Sequence, residues 1–367
     1  MTKRTVLVVG ASGLVGRASV DTFLDHDWDV VAVSRRPPEV ISERPFRHLP
    51  VDLTDAPATT AALQALPEVS HLVYAAAFEK SSLVAGWSDP HQMATNRTML
   101  DNVLRPLVTH TRLQHVTLMQ GTKAYGVHLH PIPLPARERH PRDEHPNFYW
   151  LQEDLLRETA ERHGLAWTIF RPVQVVGPAY GVAYCTPPVI GVLAAICHEE
   201  GLPFGFPGGA TFPVKQAADV RLVADAIRWA TDTPAAWGGH FNLTNGEVFS
   251  WQELWPLFGE VMGVQVDEPH PQPLGPLLAT KGDQWTRIVH RYGLRPMTLD
   301  DVLGQSHLYA DYTFGTGLTE PPPPALVSTV KVKQAGFTEV RDTEDTFRWS
   351  LRTLIDRRVL PDLRRST

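Results

Sequence analysis

The sequence predicts an α/β protein with a Rossmann-type doubly wound parallel sheet and a smaller, mostly helical C-terminal substrate lobe. Three observations carry this prediction. A short aliphatic run leads directly into a glycine loop, similar runs return at helix-length intervals, and proline-rich loops and helices follow after about residue 172. Strands that alternate with helices in this way form parallel sheets with helices on both faces.

The first strand is predicted over Thr5 to Val9, a continuous aliphatic and β-branched run that is typical of a strand buried on both faces. A helix is expected from about Leu14. Further strands of the same kind are predicted at residues 29–34, 71–77, 114–120 and 166–170. Segments of helical length separate them, so we expect crossover helices between parallel strands.

Capping residues mark several predicted helices. Asn147 is a candidate N-cap for a helix that begins near Phe148, and Gly164 suits the left-handed residue at its end. Asp55 is predicted to cap an earlier helix. Two later helices and one strand that returns to the sheet are predicted at residues 188–198, 220–231 and 240–245.

Composition restricts the class of protein. Hydrophobic residues make up 43% of the chain and charged residues 20%, values that are typical of a folded globular protein. A formal charge of −6 gives no basic surface for nucleic acid or anionic membrane. Cys185 and Cys197 are too few for a disulfide framework. With no signal-peptide pattern and no apolar run of about 20 residues, we expect a cytoplasmic protein.

The glycine loop predicts a dinucleotide site. Gly10, Gly13 and Gly16 stand in a GxxGxxG arrangement between a predicted strand and a predicted helix. Glycines let the backbone approach a pyrophosphate, and the helix N-terminus offers it N–H groups and a positive dipole end. The other residues of the loop expected at the cofactor are Ser12, Leu14 and Val15.

The end of the second strand favours NADP(H) over NAD(H). An NAD site has an acidic residue there, whereas this chain has Ser34, Arg35 and Arg36. Guanidinium groups bind a 2′-phosphate through charge-assisted hydrogen bonds. A solvated basic loop is the alternative interpretation.

Other strand ends are expected along the bound cofactor. Asp52, next to Leu53, is placed to accept from the adenine amine, although a role in a turn or helix cap is equally open. The small residues Ala75, Ala76 and Ala77 would let the nicotinamide half lie close to the backbone. Further cofactor contacts are predicted for Gln120, Lys123, Pro172, Val173 and Val175.

The sequence predicts two domains. An NADP(H)-binding domain is predicted over residues 1–180 and is completed by about residues 215–248. Residues 181–214 and 249–367 are assigned to a substrate-binding lobe that covers the cofactor cleft.

Five segments, taken in order, resemble one known family. They are GTKAYG (121–126), PNFYWLQEDLL (146–156), IFRPVQVVG (169–177), GHFNLTNGEVFSWQELW (239–255) and KVKQAGF (331–337). Their succession resembles the progesterone 5β-reductase/iridoid synthase-like family of extended short-chain dehydrogenases/reductases. The resemblance implies an NADPH-dependent enzyme that reduces the carbon–carbon double bond of an enone or enal by 1,4-hydride addition.

The resemblance also implies the catalytic residues. The usual YxxxK spacing is absent, because Glu153 and Asp154 stand four residues after Tyr149 and Trp150. In the family the lysine comes from the GTK motif, which gives Lys123. The family motif reads NFYY, and our alignment places the catalytic hydroxyl on its second tyrosine, so Trp150 is expected to stand where the phenol should be. Loss of an oxyanion donor lowers a rate about 10²–10³-fold.

Three functions therefore remain open at this point. The protein could still be an ene-reductase in which Lys123, Tyr125 or the Trp150 N–H stabilises the charge on the substrate oxygen. Alternatively it could perform isomerisation, cyclisation or carbonyl reduction, with Tyr149 or Tyr125 as the acid. A non-catalytic NADP(H)-binding protein is the third possibility.

A small apolar carbonyl compound is the expected partner, and the chain is expected to be a monomer or homodimer. The pocket for this substrate is predicted to include Phe78, Tyr180, Tyr149 and Trp150, although core packing is an alternative for each. No metal site is predicted. The histidines that crowd one loop lack suitably spaced carboxylate or thiol ligands: His128, His130, His140 and His145.

Overall fold

The structure is a computed structural model and describes residues 4–80, 86–209 and 214–364. The chain divides into two compact units. The sheet unit comprises Met1–Val173, Val220–Leu243 and Val327–Glu339. The helical unit comprises Gln174–Asp219, Thr244–Leu326 and Val340–Thr367.

Among the described residues, the sheet unit has seven parallel strands: β1 (Thr5–Val9), β2 (Asp29–Val33), β3 (Arg47–Leu49), β4 (Val69–Tyr74), β5 (His115–Met119), β6 (Ala166–Pro172) and β9 (Gly239–Leu243). Their order across the sheet is β3-β2-β1-β4-β5-β6-β9. The order reverses between β1 and β4, and ligands of doubly wound sheets bind at the carboxyl ends of the strands at this point.

Helices cover this sheet, and the predicted fold class is confirmed. The helices are α1 (Leu14–Asp25), α2 (Ala56–Leu63), α3 (Pro90–His110), α4 (Phe148–His163), α6 (Val220–Thr231) and α12 (Val330–Gln334). Helix α1 packs against α6, and α3 packs against both α2 and α4. Alternate residues of β1, Leu7 and Val9, share a buried cluster with Leu100 and Val103 of α3.

The caps expected from the sequence form as local structure. The Asp55 carboxylate accepts from Ala58 N at 2.9 Å and begins α2. Asn147 accepts from Tyr149 N at 3.0 Å and begins α4, which ends at Gly164 with φ +67°. Side-chain capping of this kind satisfies a helix N–H that has no partner in the first turn.

The helical unit has a separate core and a short parallel pair, β7 (Gln174–Val176) with β8 (Ala217–Asp219). Trp251, Trp255 and Trp285 are buried in this core, and each indole N–H donates to a backbone carbonyl. Its helices are α5 (Thr186–Glu200), α7 (Trp251–Met262), α8 (Leu274–Ala279), α9 (Gly282–Tyr292), α10 (Leu299–Leu303), α11 (Ser306–Phe314) and α13 (Thr343–Asp356). None of the described helices is long and apolar enough to span a membrane.

Several boundaries differ from the expected ones. Residues 174–180, which were expected in the cofactor-binding domain, cluster with the helical unit. Strand β4 ends at Tyr74 rather than at residue 77. The hydrogen bond from Ala75 N to Val9 O, at 2.9 Å, lies at this end of the strand, and the chain leaves the sheet beyond it. Residues Val327–Glu339, which the sequence analysis assigned to the substrate lobe, cluster with the sheet unit. In that segment Lys331 Nζ donates to His240 O at 2.9 Å, which ties α12 to β9.

Candidate active site

The glycine loop between β1 and α1 forms a turn that side chains would block. Gly10 has φ +83°, and a Cβ there would lie 2.6 Å from Ala76 N. A Cβ on Gly16 would lie 2.1 Å from Gly10 O. Gly13 precedes α1 without a side-chain cap, so the first-turn N–H groups of Leu14 and Val15 are left for a ligand. The loop therefore fits a dinucleotide pyrophosphate.

Ser12 and the end of β4 lie next to this turn. Ser12 is partly buried, and its carbonyl accepts from Arg17 Nε at 3.0 Å. Ala75 and Ala76 pass directly beside Gly10, whereas Ala77 is exposed. The carboxyl end of β4 and the glycine loop thus form one surface at the reversal of strand order.

The end of β2 presents two cationic side chains. Ser34 is buried and donates to Arg36 O at 2.6 Å, which fixes the turn that follows the strand. Arg35 and Arg36 are exposed, and neither guanidinium forms an ion pair with another residue in the described part of the chain. The positive charge of Arg35 contributes to lowering the pKa of Asp52, after the hydrogen bonds from Thr54.

Asp52 and Leu53 have local partners. One Asp52 oxygen accepts from Thr54 N at 2.9 Å and from the Thr54 hydroxyl at 2.7 Å. This is the turn role that the sequence analysis left open beside adenine binding. Leu53 is buried, and its carbonyl accepts from Asn102 at 2.8 Å.

Tyr149 points to the carboxyl end of β5. A Cβ placed on Gly121 would lie 3.2 Å from the Tyr149 hydroxyl oxygen and 3.8 Å from Pro172 O. Burial raises the pKa of Tyr149, as does the negative charge of Glu79, whereas Arg171 lowers it. The phenol is therefore protonated at neutral pH, the form that donates a hydrogen bond.

Lys123 lies in the turn that follows β5, within the 3₁₀ segment Thr122–Tyr125. Its ammonium sits 4.1 Å above the ring centre of Trp87, which is buried. Burial lowers the pKa of Lys123 to about 8, and the carboxylate of Glu79 opposes that shift. Glu79 itself accepts from Gln92 at 2.7 Å.

Trp150 faces a different environment from Tyr149. The Arg142 guanidinium lies 4.7 Å from its ring centre and that of Arg171 lies 5.6 Å away. The His145 ring is 6.2 Å distant. The indole N–H is buried and has no hydrogen-bond partner among residues 4–80, 86–209 and 214–364.

A buried carboxylate lies one turn further along α4. Glu153 accepts from Gln120 at 3.2 Å and from Arg171 at 3.5 Å, and His240 Nε2 lies 3.0 Å from the same carboxylate. Burial alone would raise the pKa of Glu153, but the close His240 ring, the Gln120 hydrogen bond and the charge of Arg171 lower it to about 2. Arg142 and Arg157 also approach the same carboxylate, at 3.2 and 3.0 Å.

Several predicted site residues are held by other contacts. The Tyr125 hydroxyl donates to Asn242 Oδ1 at 2.7 Å. Gln120 accepts from Arg171 at 2.8 Å, so its amide joins the network beneath Tyr149. Phe78 is fixed through its backbone by Asn96. Tyr180 lies in the core of the helical unit and accepts from Arg295 at 2.8 Å.

The remaining predicted cofactor residues end two strands. Pro172 closes β6, and Val173 N donates to Leu243 O at 3.1 Å. Val175 belongs to β7 of the helical unit. Within the described ranges no group of three or more histidine, cysteine or acidic side chains is arranged to hold a metal ion.

Four residues around Tyr149 and Lys123 were not predicted from the sequence: Glu79, Trp87, Glu153 and Arg171. Glu79 and Trp87 follow β4 in the sequence and belong to no recognisable motif. Glu153 could have been predicted from its spacing. It stands four residues after Tyr149, on the same helix face, so it is buried with Tyr149 and requires cationic partners.

The chain is similar to known proteins over most of its length. Residues 6–243 match the NAD dependent epimerase/dehydratase family. An (S)-8-oxocitronellyl enol synthase of Nepeta cataria is 30% identical over 363 residues, covering 93% of this chain and 89% of that protein. A second such synthase, from Camptotheca acuminata, is 31% identical over 375 residues, covering 96% and 90%.

Solved structures show the same fold at low identity. UDP-glucose 4-epimerase of Thermotoga maritima aligns with a TM-score of 0.68 and 15% identity, covering 96% of this chain and 99% of that one. The Thermus thermophilus enzyme, in complex with NAD, aligns with a TM-score of 0.65 and 18% identity, covering 95% and 98%. The chain therefore belongs to the NAD dependent epimerase/dehydratase family and, within it, to the progesterone 5β-reductase/iridoid synthase-like extended short-chain dehydrogenases/reductases, and it is an NAD(P)-dependent oxidoreductase.

Proposed function

We propose that the protein is an NADPH-dependent reductase of the carbon–carbon double bond of a small apolar enone or enal, and that Tyr149 rather than Trp150 holds the substrate oxygen. The observation that carries the proposal is the Tyr149 hydroxyl beside Gly121, in the segment that leads to Lys123. The names of the relatives support the reaction class, because an enol is the product of hydride addition to the β-carbon of an enal.

The bound nicotinamide would supply the hydride. The pyrophosphate would be held by the glycine loop, and Arg35 with Arg36 would hold the 2′-phosphate that distinguishes NADPH. These guanidiniums are exposed, and no acidic side chain pairs with them in the described ranges, so they are available to a doubly charged group.

Tyr149 would stabilise the negative charge that forms on the substrate oxygen. Hydride addition at the β-carbon moves an electron pair through the conjugated system to oxygen, where a fixed donor lowers the barrier. The phenol of Tyr149 is protonated and buried, so its hydrogen bond acts in a water-poor environment. The α-carbon of the resulting enolate or enol can then be protonated by solvent.

Lys123 would contribute a positive charge to the same oxygen or to the cofactor ribose. Its ammonium is held over Trp87, and the face of the aromatic ring attracts this cation. Glu79 balances this charge and is a further candidate for ordering the site.

Deuterium transfer tests the reaction directly. With NADPH deuterated at the transferable position and a panel of enones and enals, we expect NADPH oxidation and deuterium at the β-carbon of the product. Deuterium at the carbonyl carbon would instead identify a carbonyl reductase. Conversion of substrate without NADPH oxidation would identify an isomerase or cyclase.

A further inference from the structure

The loop that precedes α4 contains a set of polar side chains that the reaction described above does not use. Asp143 accepts from His145 Nδ1 at 2.6 Å and pairs with His130 Nε2 at 2.9 Å. His145 Nε2 faces the Asn147 amide nitrogen at 3.0 Å. These four residues form a continuous path from the surface to the start of α4.

Asn147 contacts both segments that carry the proposed active-site groups. Its amide nitrogen donates to Lys123 O at 3.2 Å, and its amide oxygen accepts from Tyr149 N at 3.0 Å. One planar group therefore sets the distance between the turn after β5 and the first turn of α4. Asn147 is itself buried.

His145 determines which way that amide faces. The Asp143 carboxylate can only accept, so the proton of neutral His145 lies on Nδ1 and Nε2 is left as an acceptor. Because Nε2 accepts, it is the amide nitrogen of Asn147 that faces His145. The amide oxygen of Asn147 is then on the side of Tyr149 N, from which it accepts. Without an acceptor at this position, nothing would hold the amide nitrogen toward His145, and the amide could turn its oxygen away from Tyr149 N.

We propose that Asn147 is a positioning residue that holds Lys123 and Tyr149 in register, and that His145, oriented by Asp143, fixes the orientation of its amide. The proposal rests on the function assigned to Tyr149 and Lys123 above. The other titratable groups around His145 are the His128 ring at 5.3 Å, His130 beyond Asp143, and Lys123, whose charge acts on His128.

The variant Asn147→Ser tests the contact with Lys123 O separately from the cap at the start of α4. Serine caps a helix about as well as asparagine, but its hydroxyl is too short to reach Lys123 O while it caps α4. We expect kcat to fall about tenfold to a hundredfold with little change in KM, since small displacements at a site have effects of this size. An unchanged kcat would overturn the bridging role.

Hydrogen–deuterium exchange gives a readout that needs no turnover. In Asn147→Ser we expect faster exchange in residues 121–126, while α4 keeps its protection because the cap is retained. Wild-type exchange in residues 121–126 would overturn the proposal. If wild-type protein reduced no enone, the proposed function would fail. The exchange measurement would still show whether Asn147 holds the turn that contains Lys123.

Variants of His145 test the orientation of the amide. His145→Gln can place an amide oxygen near the position of Nε2, whereas His145→Leu removes the acceptor. We expect the glutamine variant to retain a clearly higher kcat than the leucine variant, because only glutamine keeps an acceptor opposite the Asn147 amide nitrogen. Equal kcat values in the two variants, or full activity in His145→Leu, would contradict the proposal.

Discussion

At the scale of single residues, the two adjacent aromatic side chains at the start of α4 have different surroundings. Tyr149 points to Gly121, whereas Trp150 packs beside Arg142 and Arg171. Successive helical residues point about 100° apart, so only one of the two can face the end of β5. The motif alone does not show whether Tyr149 or Trp150 faces the end of β5, because this depends on how the first turn of α4 is rotated.

The charge of Lys123 predicts a pH dependence. Burial brings the pKa of Lys123 to about 8, so the ammonium is present below that pH and is lost above it. We expect kcat/KM to fall as the pH rises through about 8. Lys123→Met should abolish most activity and remove this alkaline limb from any residual rate. A pH profile of the wild type that stays flat to pH 10 would contradict the assigned role.

The two arginines after β2 predict cofactor preference. The double variant Arg35→Ala/Arg36→Ala should raise the Kd for NADPH far more than that for NADH, because only NADPH carries the 2′-phosphate. Fluorescence titration with each nucleotide measures both constants. Arg44→Ala is a suitable control, since Arg44 is paired with Asp27. Equal changes for the two nucleotides would rule out the phosphate contact.

At the scale of elements, Glu153 anchors α4 to the sheet. Its carboxylate accepts from Gln120 after β5 and Arg171 of β6 and lies 3.0 Å from His240 Nε2 of β9, and these contacts fix the helix that carries Tyr149. Glu153→Gln leaves the surrounding guanidiniums without their buried counter-charge. Breaking a buried ion pair from one side destabilises a protein by about 3–5 kcal/mol.

Asp154→Asn is the matched control for this prediction. Asp154 is the next residue and also pairs with Arg142, but both side chains are well exposed. An exposed pair contributes about 0–1 kcal/mol. Urea unfolding at neutral pH should therefore separate the two variants clearly. Equal stabilities would show that Glu153 does not anchor the helix.

Much of this element structure could be predicted from the sequence. The glycine loop, the Asp55 and Asn147 caps and most strand positions depend on local patterns, and they were predicted within a few residues. The return of Val327–Glu339 to the sheet unit could not be, because it depends on contacts such as that of Lys331 with His240, which lie far apart in sequence. Glu79 and Trp87 were missed for the same reason.

At the scale of the whole molecule, two buried histidines predict sensitivity to acid. Burial lowers the pKa of His71 to about 4, with a smaller contribution from Arg4, and that of His115 to about 3. Both are therefore neutral in the folded protein. The unfolded chain binds these protons near pH 6.5, so stability is full above that pH and is lost as the pH falls toward 4 and 3.

Urea unfolding at a series of pH values tests whether the two buried histidines lower the stability of the fold in acid. For His71 a pKa drop of about 2.5 corresponds to a loss of roughly 3 kcal/mol between pH 6.5 and pH 4. His71→Gln should flatten this part of the stability curve, even if it lowers stability at neutral pH. His163→Gln, at an exposed residue of α4, should leave the slope unchanged. A wild-type slope in His71→Gln would disprove the assignment.

Turnover by Tyr149→Phe, compared with Trp150→Tyr, tests whether the phenol of Tyr149 stabilises the substrate oxygen. With an enone that the wild type reduces, Tyr149→Phe should lose about 10²–10³-fold in kcat with an unchanged Kd for NADPH, because only the donor is removed. Trp150→Tyr should change kcat little. Near-normal kcat in Tyr149→Phe, together with a large gain in Trp150→Tyr, would contradict the claim and place the missing phenol at residue 150.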